Sequence, residues 1–207
     1  MKVKEAYDKW SESYDSTGNK TRDLEKKVAR KILSNYEFDN VIELGCGTGK
    51  NTGWLAERSK SVKAIDFSSE MLKIAGAKLN LPNVEFMLAD ISQKWNIENG
   101  FADLIVCSLT LEHISNLNFI FSEGYRTLKE NGKFYVCELH PFKQYGGTKA
   151  NFSLDGNKIE LETYTHHFSD YVNAALKNGF TLSEVGEWFD EKDDQSPPRL
   201  ISFIFKK

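Results

Sequence analysis

Val41-Ile42-Glu43-Leu44-Gly45-Cys46-Gly47-Thr48-Gly49 is the stretch whose reading decides the fold. A short apolar run ends in three glycines separated by single residues, which predicts a strand, a tight turn and the start of a helix from about Lys50. The run is too short for a helix of its own. Glycine tolerates positive φ and lets a ligand approach the backbone closely, so glycines at a strand end imply a turn shaped around something. The free N–H groups of the following helix would point at that turn. The fingerprint G-x-G-x-x-G would need glycine at Lys50, and G-x-x-x-x-G-K-[ST] would need glycine at Leu44 and Ser or Thr at Asn51. Both fail.

Working outward, Ser61 to Asp66 alternates into a second strand ending in an acid, and Ser68 or Ser69 with Glu70 starts a helix over Met71 to Leu79. Leu81-Pro82-Asn83 breaks the chain before a third strand, Val84 to Asp90, which also ends in an acid. Asp103 to Leu109 is nearly continuous in apolar residues, as a parallel strand covered on both faces should be. Ser115 to Lys129 reads as a helix closed by Gly132 in the C-terminal capping position, and Phe134 to His140 as a fifth strand. Strands alternating with helices imply a parallel sheet with right-handed crossovers. In such a doubly wound α/β fold the second strand ends beside the first, so Asp66 can accept hydrogen bonds from both hydroxyls of a ribose.

Glu43-Leu44-Gly45-Cys46-Gly47-Thr48-Gly49 resembles the first motif of the class I S-adenosylmethionine-dependent methyltransferases, most closely the small-molecule type 11/25-like members. The resemblance covers most of the chain and is strongest from Val41 to Ile114. It implies a Rossmann-like sheet of seven strands, five parallel and then an antiparallel hairpin, for which Thr181 to Phe189 and Leu200 to Phe205 read as the last two strands. It also implies S-adenosyl-L-methionine as cofactor and S-adenosyl-L-homocysteine as product. The cofactor would be held by Glu43, Gly45, Cys46, Gly47 and Gly49 at the first strand and Asp66 at the second. Asp90 would face the adenine amino group, the Ile91 amide a ring nitrogen, and Phe67 and Met71 would flank the base. Ser108, ending the fourth strand, is counted with them. The opening Tyr7-Asp8 and Tyr14-Asp15 resemble a repeat that closes over the cofactor, with Tyr14 near the methionine carboxylate.

The whole chain, 1–207, reads as one domain, with residues 1–20 as an N-terminal cap and 141–168 as an inserted hairpin, turning at Asp155-Gly156, above the acceptor site. With a net charge of −3, nothing attracts a polyanion globally. The basic Lys26, Lys27, Arg30 and Lys31 lie on an amphipathic helix from Asn19 to Tyr36 without interleaved aromatics, so a nucleic-acid partner is not expected. There is no apolar run of membrane length and no apolar core of a secretion signal, and Cys46, Cys107 and Cys137 lack metal-site spacing, so the expected compartment is the cytoplasm and no metal is expected. Oligomeric state is not legible.

Methyl transfer from a sulfonium is an in-line displacement, and a hydroxyl or protonated amine acceptor needs a base. All four histidines follow the fourth strand. His140 and His166 are the first candidates for base or acceptor-orienting roles, expected to be dispensable for cofactor binding but not for turnover; His113 can be a base or a pocket wall. Tyr145, Phe152, Tyr164, Tyr171 and Trp188 suggest an aromatic lining, with Gln144 and Arg199 as orienting groups, for a small, partly apolar or aromatic acceptor methylated on oxygen or nitrogen. An RNA or protein methyltransferase, a regulatory module that binds the cofactor without catalysis, and, for the glycine loop alone, a nicotinamide dehydrogenase stay open as alternatives.

Overall fold

The strand containing Val41 is β1 (Asn40–Leu44), and in the computed structural model it lies inside a seven-stranded sheet. The structure describes residues 3–154, 157–190 and 196–207. β1 pairs in parallel with β2 (Ser61–Asp66) on one side and β4 (Ala102–Ser108) on the other, and β2 carries β3 (Val84–Leu88) at its outer edge. β5 (Leu128–Leu139) continues the parallel set beside β4; β9 (Leu200–Lys206) runs antiparallel to β5, and β8 (Thr181–Trp188) pairs antiparallel with β9 at the edge. The order is therefore β3-β2-β1-β4-β5-β9-β8. Strand order reverses between β1 and β4, so the carboxyl ends of these two strands flank the crevice where doubly wound sheets bind ligands.

Alternation along the strands explains why both faces are covered. On one face Ile42, Leu44, Ile105, Phe134 and Val136 pack with Phe121 of helix α5 (Leu117–Thr127) and Tyr171 of α7 (Phe168–Lys177). On the other, Val41, Val62, Tyr135 and Cys137 pack with Val28 and Leu33 of α2 (Lys20–Leu33) and Leu55 of α3 (Thr52–Ala56). Each fully buried aliphatic or aromatic side chain contributes about 1.5–3 kcal/mol, which is why the Phe134–Cys137 part of β5, apolar on both faces, sits inside the sheet. α1 (Val3–Tyr14) and α4 (Ser69–Lys78) lie together near the carboxyl ends of β1 and β2.

Three local expectations change. α3 is a five-residue helix that begins at Thr52 and not at about Lys50, because the glycine loop extends through Asn51, whose side-chain amide is held by Glu25 of α2. No helix joins β3 to β4: Arg126 of α5 holds the irregular crossover by donating to Ile97 O at 2.7 Å and Trp95 O at 3.0 Å, while Glu123 accepts from Trp95 N at 2.9 Å. β5 begins at Leu128, directly after α5, and Asn131 rather than Gly132 takes the left-handed conformation, with φ 66°. Gly132 serves close packing instead, since a Cβ there would lie 2.8 Å from Lys129 O.

After β5 come the short helix α6 (Pro141–Tyr145) and the strands β6 (Asn151–Leu154) and β7 (Asn157–Glu160), which form a separate antiparallel pair. The expected turn at Asp155-Gly156 lies outside the described residues. Beyond this pair, Leu161 packs on Ala6 and Trp10 of α1. Among the described residues no helix is long and apolar enough to cross a membrane.

Candidate active site

A cavity of about 300 Å³ opens at the carboxyl ends of β1, β2 and β4, bounded by the glycine loop on one side and the segment after β4 on the other. The loop takes its shape from backbone conformation: Gly45, Gly47 and Gly49 have φ of 68°, 54° and 82°, the left-handed region that side-chain-bearing residues rarely adopt. Their surroundings differ. A Cβ on Gly45 would fall 2.2 Å from Thr110 Oγ1, so this glycine permits contact between the loop and the post-β4 segment. At Gly47 a Cβ would meet nothing within 4 Å and the residue lines the cavity, whereas at Gly49 it would fall 2.6 Å from Leu79 Cδ1. Gly49 is thus the one expected cofactor residue that does not line the cavity; it lets α4 pack against the loop.

Asp66, buried at the end of β2, ties the turn to the next helix. Its Oδ2 accepts from Gly47 N at 2.8 Å and its Oδ1 from Ser68 N at 2.9 Å. Each carboxylate oxygen has a second lone pair, so this arrangement can still receive two hydroxyls. Burial raises the Asp66 carboxyl above its ordinary range while those backbone donors oppose the rise. Glu43 accepts from Thr52 Oγ1 at 2.6 Å, and burial pushes it up to about 8. Phe67, Met71, Asp90 and Ile91 line the β2 and β3 side, with Asp90 in the turn beyond β3, accepting from Ser92 N at 2.8 Å. Cys46 and Ser108 also line the cavity; Ser108 Oγ is buried without a hydrogen-bond partner among the described residues.

Helix α1 forms the roof, presenting Tyr7 and Tyr14 to the cavity. Asp8 accepts from Ser68 Oγ at 2.6 Å, and just past the helix Asp15 accepts from Thr48 Oγ1 at 2.7 Å and from Lys78 at 2.6 Å. Arg22 of α2 donates to Tyr14 O and Thr17 O and lies 4.0 Å from the centre of the Tyr14 ring. Lys50 in the loop is neutralised by the fully buried Glu25.

His113 occupies the opposite wall. Its Nδ1 lies 3.0 Å from Glu162 O, a carbonyl that can only accept, so Nδ1 carries the proton and Nε2 accepts from the Tyr7 hydroxyl at 3.0 Å. Burial holds the imidazole below its ordinary pKa and raises the Tyr7 phenol well above its own. The result is a neutral histidine with a basic nitrogen directed at the roof.

His140 and His166 stand outside this cavity. Both nitrogens of His140 are engaged, Nδ1 accepting from Phe142 N at 3.1 Å to cap α6 and Nε2 donating to Glu187 at 3.0 Å. His166 donates from Nε2 to Ile114 O at 2.7 Å and Leu111 O at 3.1 Å, holding the turn that carries His113. Of the expected aromatic lining, among the described residues only Tyr164 borders the cavity. Tyr171 is core, Tyr145 is exposed and bonded to His167, and Trp188 donates to Ser202 Oγ. The Phe152 side chain lies outside the described residues, and Arg199 is committed to a two-pronged pair with Asp190. The sequence reading did not single out Thr48, or Tyr7 as a partner of His113. The spacing of Tyr7 with Trp10 and Tyr14 signalled a shared face but not what that face would meet.

A glycine loop, a strand-end acid and an apolar slot at a switch point define a nucleoside-cofactor protein of the doubly wound α/β class. Residues 42–136 match the Methyltransf_11 family, described as a methyltransferase domain. The chain is 30% identical over 197 residues to a malonyl-[acyl-carrier protein] O-methyltransferase of Marinomonas sp. (strain MWYL1), covering 90% of this chain and 71% of that relative. In fold it is similar to an S-adenosylmethionine-dependent methyltransferase of Listeria monocytogenes (TM-score 0.77, 23% identity, 90% of this chain and 97% of that one). It is also similar to the N-methyltransferase NodS of Bradyrhizobium japonicum WM9, solved with S-adenosyl-L-homocysteine (TM-score 0.74, 15% identity, 100% and 99%). The chain belongs to the S-adenosylmethionine-dependent methyltransferases, and S-adenosylmethionine is its cofactor. The residues present fit that group: Gly47 leaves open the space a side chain would fill, and Ser108 Oγ in the cavity wall has no hydrogen-bond partner among the described residues.

Proposed function

We propose that this enzyme methylates a small-molecule acceptor at a hydroxyl or amine, with Tyr7 and His113 at the acceptor end of the cavity. The observation that carries this reading is the Tyr7–His113 hydrogen bond across a cavity whose other wall is the glycine loop. In this reading Asp66 holds the ribose, Asp90 and Ile91 the adenine edge, Phe67 and Met71 its faces, and Tyr14 with Gly45 and Gly47 the methionine portion; Glu43, Cys46 and Ser108 complete the wall. When bound, S-adenosylmethionine supplies a methyl group on a positively charged sulfur, a leaving group that requires no covalent intermediate with the protein. The chain aligns an acceptor lone pair and excludes water. His113 Nε2, neutral because burial disfavours its charged form, can take the proton that a hydroxyl or ammonium acceptor must lose once the Tyr7 hydroxyl turns to the acceptor.

The size of the cavity favours a small acceptor over a polymer. The relatives include an O-methyltransferase, and a structural neighbour is an N-methyltransferase, so the acceptor atom is left as oxygen or nitrogen. The test is a methyl-transfer screen over small hydroxyl, amine, thiol and carboxylate acceptors, with His113→Ala beside the wild type. Transfer to a hydroxyl or amine that drops at least about 100-fold in the variant, with S-adenosylhomocysteine affinity preserved, is expected from loss of a general base. Undiminished turnover would remove His113 from the reaction. Cofactor binding without any methylated product would favour a regulatory module.

A further inference from the structure

Glu138 is the last charged residue of β5, 1% exposed, and its carboxylate reaches sideways to the segment that follows β4. Its Oε1 accepts from Thr110 N at 3.0 Å and from Leu111 N at 2.9 Å, and the carboxylate also bonds the backbone of Glu112. These amides stand where β4 has ended and the single 3-10 turn Leu111–His113 begins, so β-sheet pairing cannot satisfy all of them. The same turn is held from its other side by His166, through the carbonyls of Leu111 and Ile114, and Tyr164 N donates to Glu112 O at 2.7 Å. One carboxylate therefore collects the donors of the turn while a histidine collects its acceptors.

We propose that Glu138 is a positioning residue for the acceptor side: by clasping the amides of Thr110 and Leu111 it fixes the turn that carries His113, and so sets the distance of His113 from Tyr7. It rests on the reading of His113 as the acceptor-side base. Glu138 does not border the cavity, so its action passes through the backbone. The clasp works with the carboxyl neutral or ionised, because a protonated carboxyl keeps one acceptor oxygen. This matters because burial, then the neighbouring Glu112 carboxyl, push Glu138 up to about 8. Gln at this position supplies the same acceptor oxygen, whereas Met fills the volume and supplies no comparable acceptor.

The test reads His113 directly and needs no acceptor. Its ring titration is followed by NMR in wild type, Glu138→Gln and Glu138→Met, with S-adenosylhomocysteine affinity measured on each. Wild type and Glu138→Gln should titrate below the ordinary histidine range, and Glu138→Met should return toward it while its affinity for S-adenosylhomocysteine stays within about threefold. An unmoved His113 titration in a folded Glu138→Met would overturn the proposal, as would an equal change in Glu138→Gln. Should Glu138→Met fail to fold, hydrogen exchange on the wild type decides. The Thr110 and Leu111 amides should exchange at least about 100-fold more slowly than unprotected ones, and unprotected amides would refute the clasp. Loss of turnover in His113→Ala tests the catalytic reading separately, since these measurements concern only where His113 is held.

Discussion

The cofactor side and the acceptor side of the cavity are built by different means. On the proposed cofactor side most groups come from a strand end and the turn immediately after it: Glu43 and the glycines at β1, Asp66 and Phe67 at β2, Asp90 and Ile91 just past β3, with Tyr14 of α1 and Met71 of α4 added from helices. On the acceptor side the groups meet from distant parts of the chain. Tyr7 and His113 are separated by 106 positions, and Glu138 and Thr110, which hold the turn behind His113, by 28. A short-range motif can specify the first kind of site; the second exists only once the sheet has assembled.

Steric and conformational changes on the cofactor side should therefore give the largest effects. Gly47→Val places a β-branched residue at φ 54° and directs its side chain into the cavity. We expect S-adenosylhomocysteine affinity to fall more than about 100-fold, some 2.7 kcal/mol, with a stability cost of about 1–2 kcal/mol for the left-handed backbone. Gly49→Ala should act in the opposite proportion. It drives a Cβ into Leu79 behind the loop, so calorimetric melting should suffer more than ligand affinity in the protein that remains folded. If both variants lost binding and stability in the same ratio, the two glycines would not divide the work between cavity and packing.

On the acceptor side Tyr7→Phe removes the hydroxyl that His113 Nε2 accepts from, while leaving the ring against Phe67 and Tyr14. Turnover should drop about 10- to 100-fold with cofactor affinity changed less than about threefold. A variant with unchanged turnover but weakened affinity would place Tyr7 on the cofactor side of the boundary.

The legibility of the molecule follows the same division. The fold, its parallel core and its closing hairpin were readable because two-faced burial makes Leu104–Cys107 of β4 and Phe134–Cys137 of β5 continuous in apolar residues and because turns and caps such as Ser68 lie beside the elements they start. The glycine loop and Asp66 were readable because the spacing is local. Gly49 shows the limit even there, since nothing in its spacing distinguishes a glycine facing a ligand from one facing Leu79. Gly132 shows it again, as a close approach to Lys129 O and a left-handed cap call for the same residue type. Glu138 and the Tyr7–His113 pair could not be read, because the adjacency of β4 and β5 in the one case and the packing of α1 in the other, not sequence spacing, bring them to their partners.

His140 is the sharpest case, and its replacement should have the smallest effect. Sequence position put it at the end of β5 in the acceptor half, where a titrating imidazole would be useful. The structure spends both of its nitrogens, one capping the five-residue helix α6 and one on Glu187, and burial keeps the ring below its ordinary pKa. An imidazole so committed has no lone pair to offer an acceptor. We therefore expect His140→Ala to lose about 1 kcal/mol of stability, the usual worth of a helix cap, and to change turnover less than about threefold. In a chain of this size that is a fall of about 2–4 °C in Tm. A collapse of turnover with S-adenosylhomocysteine affinity intact would mean that α6 opens during the reaction and releases His140 to the acceptor, moving the boundary of the site from the post-β4 turn to the end of β5.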